Sequence, residues 1–368
     1  MLQMALDAGK DLVLSPGIYF LYQPLVIRHA NQVLLGLGFA TLVAPQDGSP
    51  CVKILPFVSG VRITSIMLEA SPPNNTTSTT TRRSSSSLLE WGSSSSSSSS
   101  SSHDKDKDTG DVNNPGVMSD VCARVGGTNL DRTVTVDTMV RIHSGNVVVD
   151  NIWLWRADHS RLAPQETPND PLLFHYHQTM GDECPVNTAL EVNGDDVHMY
   201  GVFAEHTLQD LVVWNGDNGD VSFYQSELPY YISNKETYVE NGYVGYRVGQ
   251  QVQNHTARGI GVYSNFVSGQ VDVPTAIRSP LGAVYNSNNN ENSDTHQPEN
   301  TLPLSSSSTS SKNNNSNSKA GGIRFEYPFT VRLNSHGDND DINGASIKSV
   351  INGHGPAAER TGVPNRVQ

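Results

Sequence analysis

The chain has 368 residues, and its 24 basic against 37 acidic side chains give a net charge of −13. That balance argues against nucleic acid or an anionic membrane as the main partner and is compatible with a neutral polysaccharide. No run reaches the roughly 18 apolar residues needed to span a membrane.

The opening Met1–Asp7 lacks the basic end and apolar stretch of a signal peptide, and reads as the interior of a longer protein, as in a clipped gene or a fragment. Residues 11–70 carry short apolar strands broken by turns: Leu12-Val13-Leu14, Ile18-Tyr19-Phe20, Pro24-Leu25-Val26-Ile27, Val33 to Gly38, Val52-Lys53-Ile54 and Val61-Arg62-Ile63. β-Branched residues dominate, Gly, Pro and Asn punctuate, and no 3.6-residue period persists, so long helices are not expected. Residues 71–118 are low in complexity, with an unbroken serine run from Ser93 to Ser102, and are expected to be disordered and to bury nothing. Strands resume by about Val134, with Val147-Val148-Val149 and Ile152-Trp153-Leu154-Trp155, and continue through 188–270. A second polar insert covers 283–319, and a last strand set lies within 322–352. The expected organisation is first coils over 1–70, an insert over 71–118, central coils over 119–282, an insert over 283–319, last coils over 320–355 and a tail over 356–368.

Two stretches echo one another. Asn193-Gly194-Asp195-Asp196 leads to Glu205, and Asn215-Gly216-Asp217-Asn218 leads to Glu227, so both landmarks recur after 22 residues. A repeat of that length fits one turn of a parallel β-helix, where large insertions leave between coils without disturbing the core. The predicted fold is all-β: a single-stranded right-handed parallel β-helix with two disordered low-complexity insertions. Strands on successive coils stack roughly 4.8 Å apart, so Glu205 and Glu227 become neighbours on one face. Paired carboxylates on a rigid face are what glycosidic bond cleavage requires, and the aromatics beside them favour a raised acid pKa.

Trp153 and Trp155 point the same way from one strand, so on an outer face they form a platform for sugar rings, and facing inward they are core. Asp158 and His159 follow as an acid/base or orienting pair, or as a turn with a local hydrogen bond. Trp214 precedes the second repeat and Tyr230 follows Glu227, in keeping with the aromatics of a carbohydrate cleft. Asp195, Asp196, Asp217 and Asp220 sit in Asn-Gly-Asp sequences that read as turns rather than as a calcium site. The run Asp338-Asn339-Asp340-Asp341 also reads as a loop. No metal or cofactor is called for. Asn187, Asn193 and Asn352 are candidates for an asparagine ladder inside the coils. Cys51, Cys122 and Cys184 fit no zinc spacing and allow at most one disulfide. Sequons at Asn74, Asn75, Asn254 and Asn314 are weak evidence for secretion, since most fall in low-complexity tracts.

Several phrases resemble a family of large extracellular β-helix proteins. They are Leu14-Ser15-Pro16-Gly17-Ile18-Tyr19, Leu35-Gly36-Leu37-Gly38-Phe39-Ala40-Thr41-Leu42, Trp155-Arg156-Ala157-Asp158-His159, Val192-Asn193-Gly194-Asp195-Asp196, and Val213-Trp214-Asn215-Gly216 through Tyr224-Gln225-Ser226-Glu227-Leu228-Pro229-Tyr230. The family belongs to the pectin-lyase-like superfamily and is related to glycoside hydrolase family 55, the β-1,3-glucanases. The resemblance covers about residues 1–70 and 120–355. It implies an inverting hydrolase in which Glu227 is the general acid, Glu205 helps to position and activate water, and Tyr230 lines the pocket. It also implies two tandem β-helices where this chain holds about one, and an extracellular location. The expected partner is a polysaccharide or oligosaccharide, and a monomer is expected. Competing readings are a calcium-dependent polysaccharide lyase using Arg247 or Arg258 as base, and a non-catalytic or decayed glycan-binding β-helix.

Overall fold

The computed structural model describes residues 1–72, 86–92, 107–166, 176–267, 271–286, 322–333, 347–357, 362 and 364–366. Expectations for the rest of the two inserts, for Asn74, Asn75 and Asn314, and for Asp338 to Asp341 lie outside these residues.

Two largely parallel sheets, one of 13 strands and one of 8, run the length of the described chain, and each successive coil adds a strand to both. This is the expected mostly-β parallel architecture. The helices among the described residues are short, Leu2–Asp7 and Lys235–Asn241. Between the sheets stack columns of mostly apolar side chains. One column runs Leu34, Ile63, Met118, Val149, Met199, Val221, Ala257 and Phe325 through consecutive rungs. Another runs Leu42, Leu68, Ala123, Leu154, Ala204, Ser226, Val262 and Thr330, all buried. Fully burying one Leu, Ile, Val or Met contributes roughly 1.5–3 kcal/mol, so these ladders hold the coils together.

The tight turns stack as well. Asn215 donates to the Asn193 side chain at 2.9 Å, and the Asp217 N–H donates to the Asp195 carboxylate at 2.7 Å. Asp217 in turn accepts from the N–H groups of Gln253 and Asn254. These carboxylates are therefore spent on turns. Only Gly fits between Asn215 and Asp217, because a Cβ on Gly216 would lie 1.7 Å from the Gly194 carbonyl oxygen. Asn193 belongs to a ladder, but with Asn215. Asn187 bonds Asp137 and Asn352 bonds Ser279, so neither joins an asparagine pair. Cys51, Cys122 and Cys184 are buried free thiols. The Asn254 side chain accepts from the Gly322 N–H, which ties this sequon into the turn stack.

One expectation fails clearly. The serine-rich stretch supplies a core strand, Ser87–Trp91, in which Leu88, Leu89 and Trp91 are buried. It pairs with Val52–Ile54 on one side and Val136–Ile142 on the other. Without it, both neighbours would present unpaired backbone groups inside a sheet. Strands also resume at Gly116, well before Val134.

Inside the coils, His255 is buried among Trp214, Tyr246 and Phe325, and its Nε2 is 2.9 Å from the Tyr246 hydroxyl. Burial pushes its pKa down to about 3, from an ordinary 6.5. The unfolded chain binds this proton below pH 6.5 and the folded chain does not, so folding stability falls as pH drops from about 6.5 toward about 3. The expected loss from this group is on the order of a few kcal/mol. Urea unfolding across that range should show a shallower pH slope in a His255→Phe, Tyr246→Phe double variant, which removes both polar partners together. An unchanged slope would assign the acid sensitivity elsewhere.

Candidate active site

The long sheet turns one face outward, and its strands bend midway at a column of left-handed residues. Asn151, Gly201, Phe223 and Gly259 occupy that column, with φ of 56°, 67°, 68° and 64°. Beyond the bend, strand alternation sends every second side chain out. The outermost column reads Glu69, Arg124, Trp155, Glu205, Glu227 and Tyr263, one residue per coil. Glu205 and Glu227 are thus register partners, one rung apart.

Their environments differ. Glu227 is half-buried: its Oε2 accepts from the Tyr230 hydroxyl, and its Oε1 accepts from the Gln225 amide at 3.2 Å. His206 Nε2 stands 4.0 Å from the same Oε2. Glu205 instead faces the Trp153 indole N–H, which favours its charged form. Burial, then the charge of Glu227, then that of Asp158 push its pKa up to about 7. Burial also raises Glu227, against the opposing hydrogen bonds from Tyr230 and Gln225. Two neighbouring carboxyls that repel each other titrate as a pair, so near neutrality they tend to hold a proton between them. Burial pushes the Tyr230 hydroxyl above its ordinary range, with Glu227 adding to the effect, so it stays a donor.

Trp153 and Trp155 both face outward, with rings stacked at 5.2 Å and 19°. They stack on one another, and Trp155 also meets His159 at 5.4 Å. Asp158 Oδ1 is 2.9 Å from His159 Nδ1, and its charge is felt by both glutamates. Trp153, Trp155, Asp158, His159, Glu205, Glu227 and Tyr230 therefore gather on one end of the face. Trp214 does not join them. It is 0% exposed, and its indole N–H donates to the Gly216 carbonyl at 3.1 Å. In Val212–Trp214 the alternation gives the outward place to Val213, so Trp214 fills the core and cannot contact a sugar.

Two residues beneath the site escaped sequence reasoning. His206 adopts φ 64°, turns inward and meets the Tyr230 ring at 4.4 Å. Burial lowers its pKa well below the ordinary imidazole range, which keeps it neutral beside Glu227. Arg156 is 1% exposed, and its guanidinium donates to four backbone carbonyls, those of Cys184, His206, Met180 and Glu183. The only available signal for Arg156 was its parity with Leu154, an inward position. The arginines named for a lyase lie elsewhere: Arg247 pairs with Asp210 on the other sheet, and Arg258 pairs with Asp220 and Glu326.

Residues 1–227 match the family described as the LAM55 pectate lyase-like domain. An exo-beta-1,3-glucanase from Streptomyces sp. (strain SirexAA-E / ActE) is 30% identical over 267 residues, which is 71% of this chain and 37% of that protein. A variant of sacteLam55A from Streptomyces sp. SirexAA-E, solved in complex with glucose, superposes with a TM-score of 0.70 at 25% identity, covering 100% of this chain and 51% of that one. A second structure of sacteLam55A gives a TM-score of 0.69 at 24% identity and supports the fold alone. The chain thus spans about half of the solved relative and 37% of the curated one.

Proposed function

We propose, from the premise that this chain belongs to the LAM55 pectate lyase-like family, that it hydrolyses a neutral β-1,3-glucan with Glu227 and Glu205 as its paired catalytic carboxyls. The protein is glycoside hydrolase family 55-like. The observation that carries the reading is the adjacency of two half-buried glutamates with raised pKa values on one rigid sheet face.

In this mechanism Glu227 protonates the leaving glycosidic oxygen while Glu205 positions and activates the attacking water. Trp153, Trp155 and Tyr230 shape the sugar site, and Asp158 with His159 orients groups at its rim. One rung of about 4.8 Å between strands would by itself suit the closer carboxyl spacing of retaining enzymes. Inversion requires the two carboxyls to diverge enough to admit a water, and the Tyr230 hydroxyl holds Glu227 to one side. Burial raises the pKa of both carboxyls, which suits the protonated acid that Glu227 supplies.

The purified protein is expected to release reducing sugars from laminarin with no gain in ultraviolet absorbance. Absorbance rising on pectate, and lost with chelator, would point to a lyase. Binding of laminarin without product would leave a glycan-binding β-helix and rule out the hydrolase.

A further inference from the structure

The Tyr230 hydroxyl and the Gln225 amide both donate to Glu227, and donors favour a carboxylate. A protonated acid needs an acceptor as well. His206 supplies one. It is 3% exposed and pinned to the Glu227 coil, its N–H donating to the Glu227 carbonyl at 2.8 Å. Its own carbonyl accepts from Arg156 at 3.1 Å, and its ring meets Tyr230 edge-on.

The neighbours fix the tautomer. Nδ1 lies 3.4 Å from the Leu228 carbonyl oxygen, which can only accept, so Nδ1 carries the proton of the neutral ring. Nε2 is then a bare lone pair, and it faces Glu227 Oε2 at 4.0 Å. Two acceptors stand off at that distance, and a proton on Oε2 turns them into donor and acceptor. Asp158, Arg156 and His159 act on the imidazole through charge, and Asp158 acts on Glu227 in the same way. Glu205 and Tyr263 flank Glu227 as register partners on the adjoining coils. Glu205 faces the Trp153 indole N–H, which is a donor, so the two carboxyls are served differently.

We propose that His206 is a positioning residue that accepts a hydrogen bond from Glu227 Oε2–H through its bare Nε2, and so holds the acid form of Glu227 ready for the substrate. This rests on the glucan reading above. On transfer the Oε2–H bond breaks, the proton passes to the glycosidic oxygen, and the electron pair stays on a carboxylate that Tyr230 and Gln225 then hold.

The experiment is the pH profile of kcat/KM on laminarin for wild type and His206→Phe, which keeps a ring against Tyr230 and removes both nitrogens. Without its acceptor the acid form weakens, so the alkaline limb should move about one pH unit lower, the scale of one hydrogen bond. A drier site would move it the other way, so lost polarity cannot imitate the result. A nitrophenyl glucoside, whose leaving group needs little protonation, should show no such shift. A limb that moves higher means that Nε2 carries the proton, and overturns the proposal. Turnover lowered equally at every pH leaves His206 a packing residue and overturns it too. Nitrogen-15 spectra of the wild-type imidazole give a second test that needs no variant to fold: an Nδ1–H tautomer is expected, and an Nε2–H tautomer overturns the proposal while leaving the glucan reading standing. Absence of laminarin turnover by the wild type overturns that reading and this inference with it.

Discussion

Replacing Glu227 with glutamine is expected to lower laminarin turnover by about 10³-fold, within the range for losing a general acid or base. The fold should survive, because glutamine keeps the shape and still accepts from Tyr230. Stability should change with a defined sign. In the wild type the folded state holds the Glu205 proton up to about 7, against an ordinary 4.5. Stability therefore falls as pH rises from about 4.5 toward about 7, and the loss persists above that. Its size is on the order of 3 kcal/mol, burial being its larger cause. Removing the Glu227 charge removes the second cause, so E227Q should melt higher than wild type at pH 8 even as it loses activity.

An aryl glucoside with a nitrophenolate leaving group needs little protonation, so it should recover much of the E227Q loss and little of the Glu205→Gln loss. The reverse pattern would transfer the acid role to Glu205. Full laminarin turnover by both glutamine variants would sink the pair as catalytic groups.

Arg156→Met is expected to destabilise the fold by about 4 kcal/mol, since each buried carbonyl left without a donor costs roughly 1–3 kcal/mol and relaxation recovers part of the sum. The guanidinium ties the carbonyls of Met180, Glu183 and Cys184 to that of His206, and so holds the 179–184 turn beneath the acid pair. Burial lowers its pKa to about 10, which still leaves it a cation at neutral pH. Lysine has three donors on one atom and cannot span four carbonyls, so Arg156→Lys should restore only part of the loss. Urea unfolding measures both. A loss under about 1 kcal/mol for the methionine variant would mean that water takes over the four bonds.

The repeat that recurs after 22 residues was legible because in a β-helix one coil is one period of sequence. It placed Glu205 beside Glu227, and the structure pairs them. Parity also put Trp153 and Trp155 on one face. Parity does not say which face is inside, however. Trp214 looked like a cleft residue and is core, and Arg156, which the sequence reading gave no role, is buried beneath the site. Composition misled at Ser87–Trp91, where serines on either side obscured an apolar strand that two neighbouring coils require as a partner.

By itself, the sequence determined the coil period, the strand character and the adjacency of the two glutamates, all set by short-range spacing along the chain. Only the tertiary structure decided the rest. It brought Asp158, Gln225, Tyr230 and His206 around the pair, separated the environments of the two carboxyls, and laid Phe203 against Phe223. The reason is physical. Burial, like-charge repulsion and hydrogen-bond supply depend on which groups meet across coils, and those groups are set by closing each turn around the core.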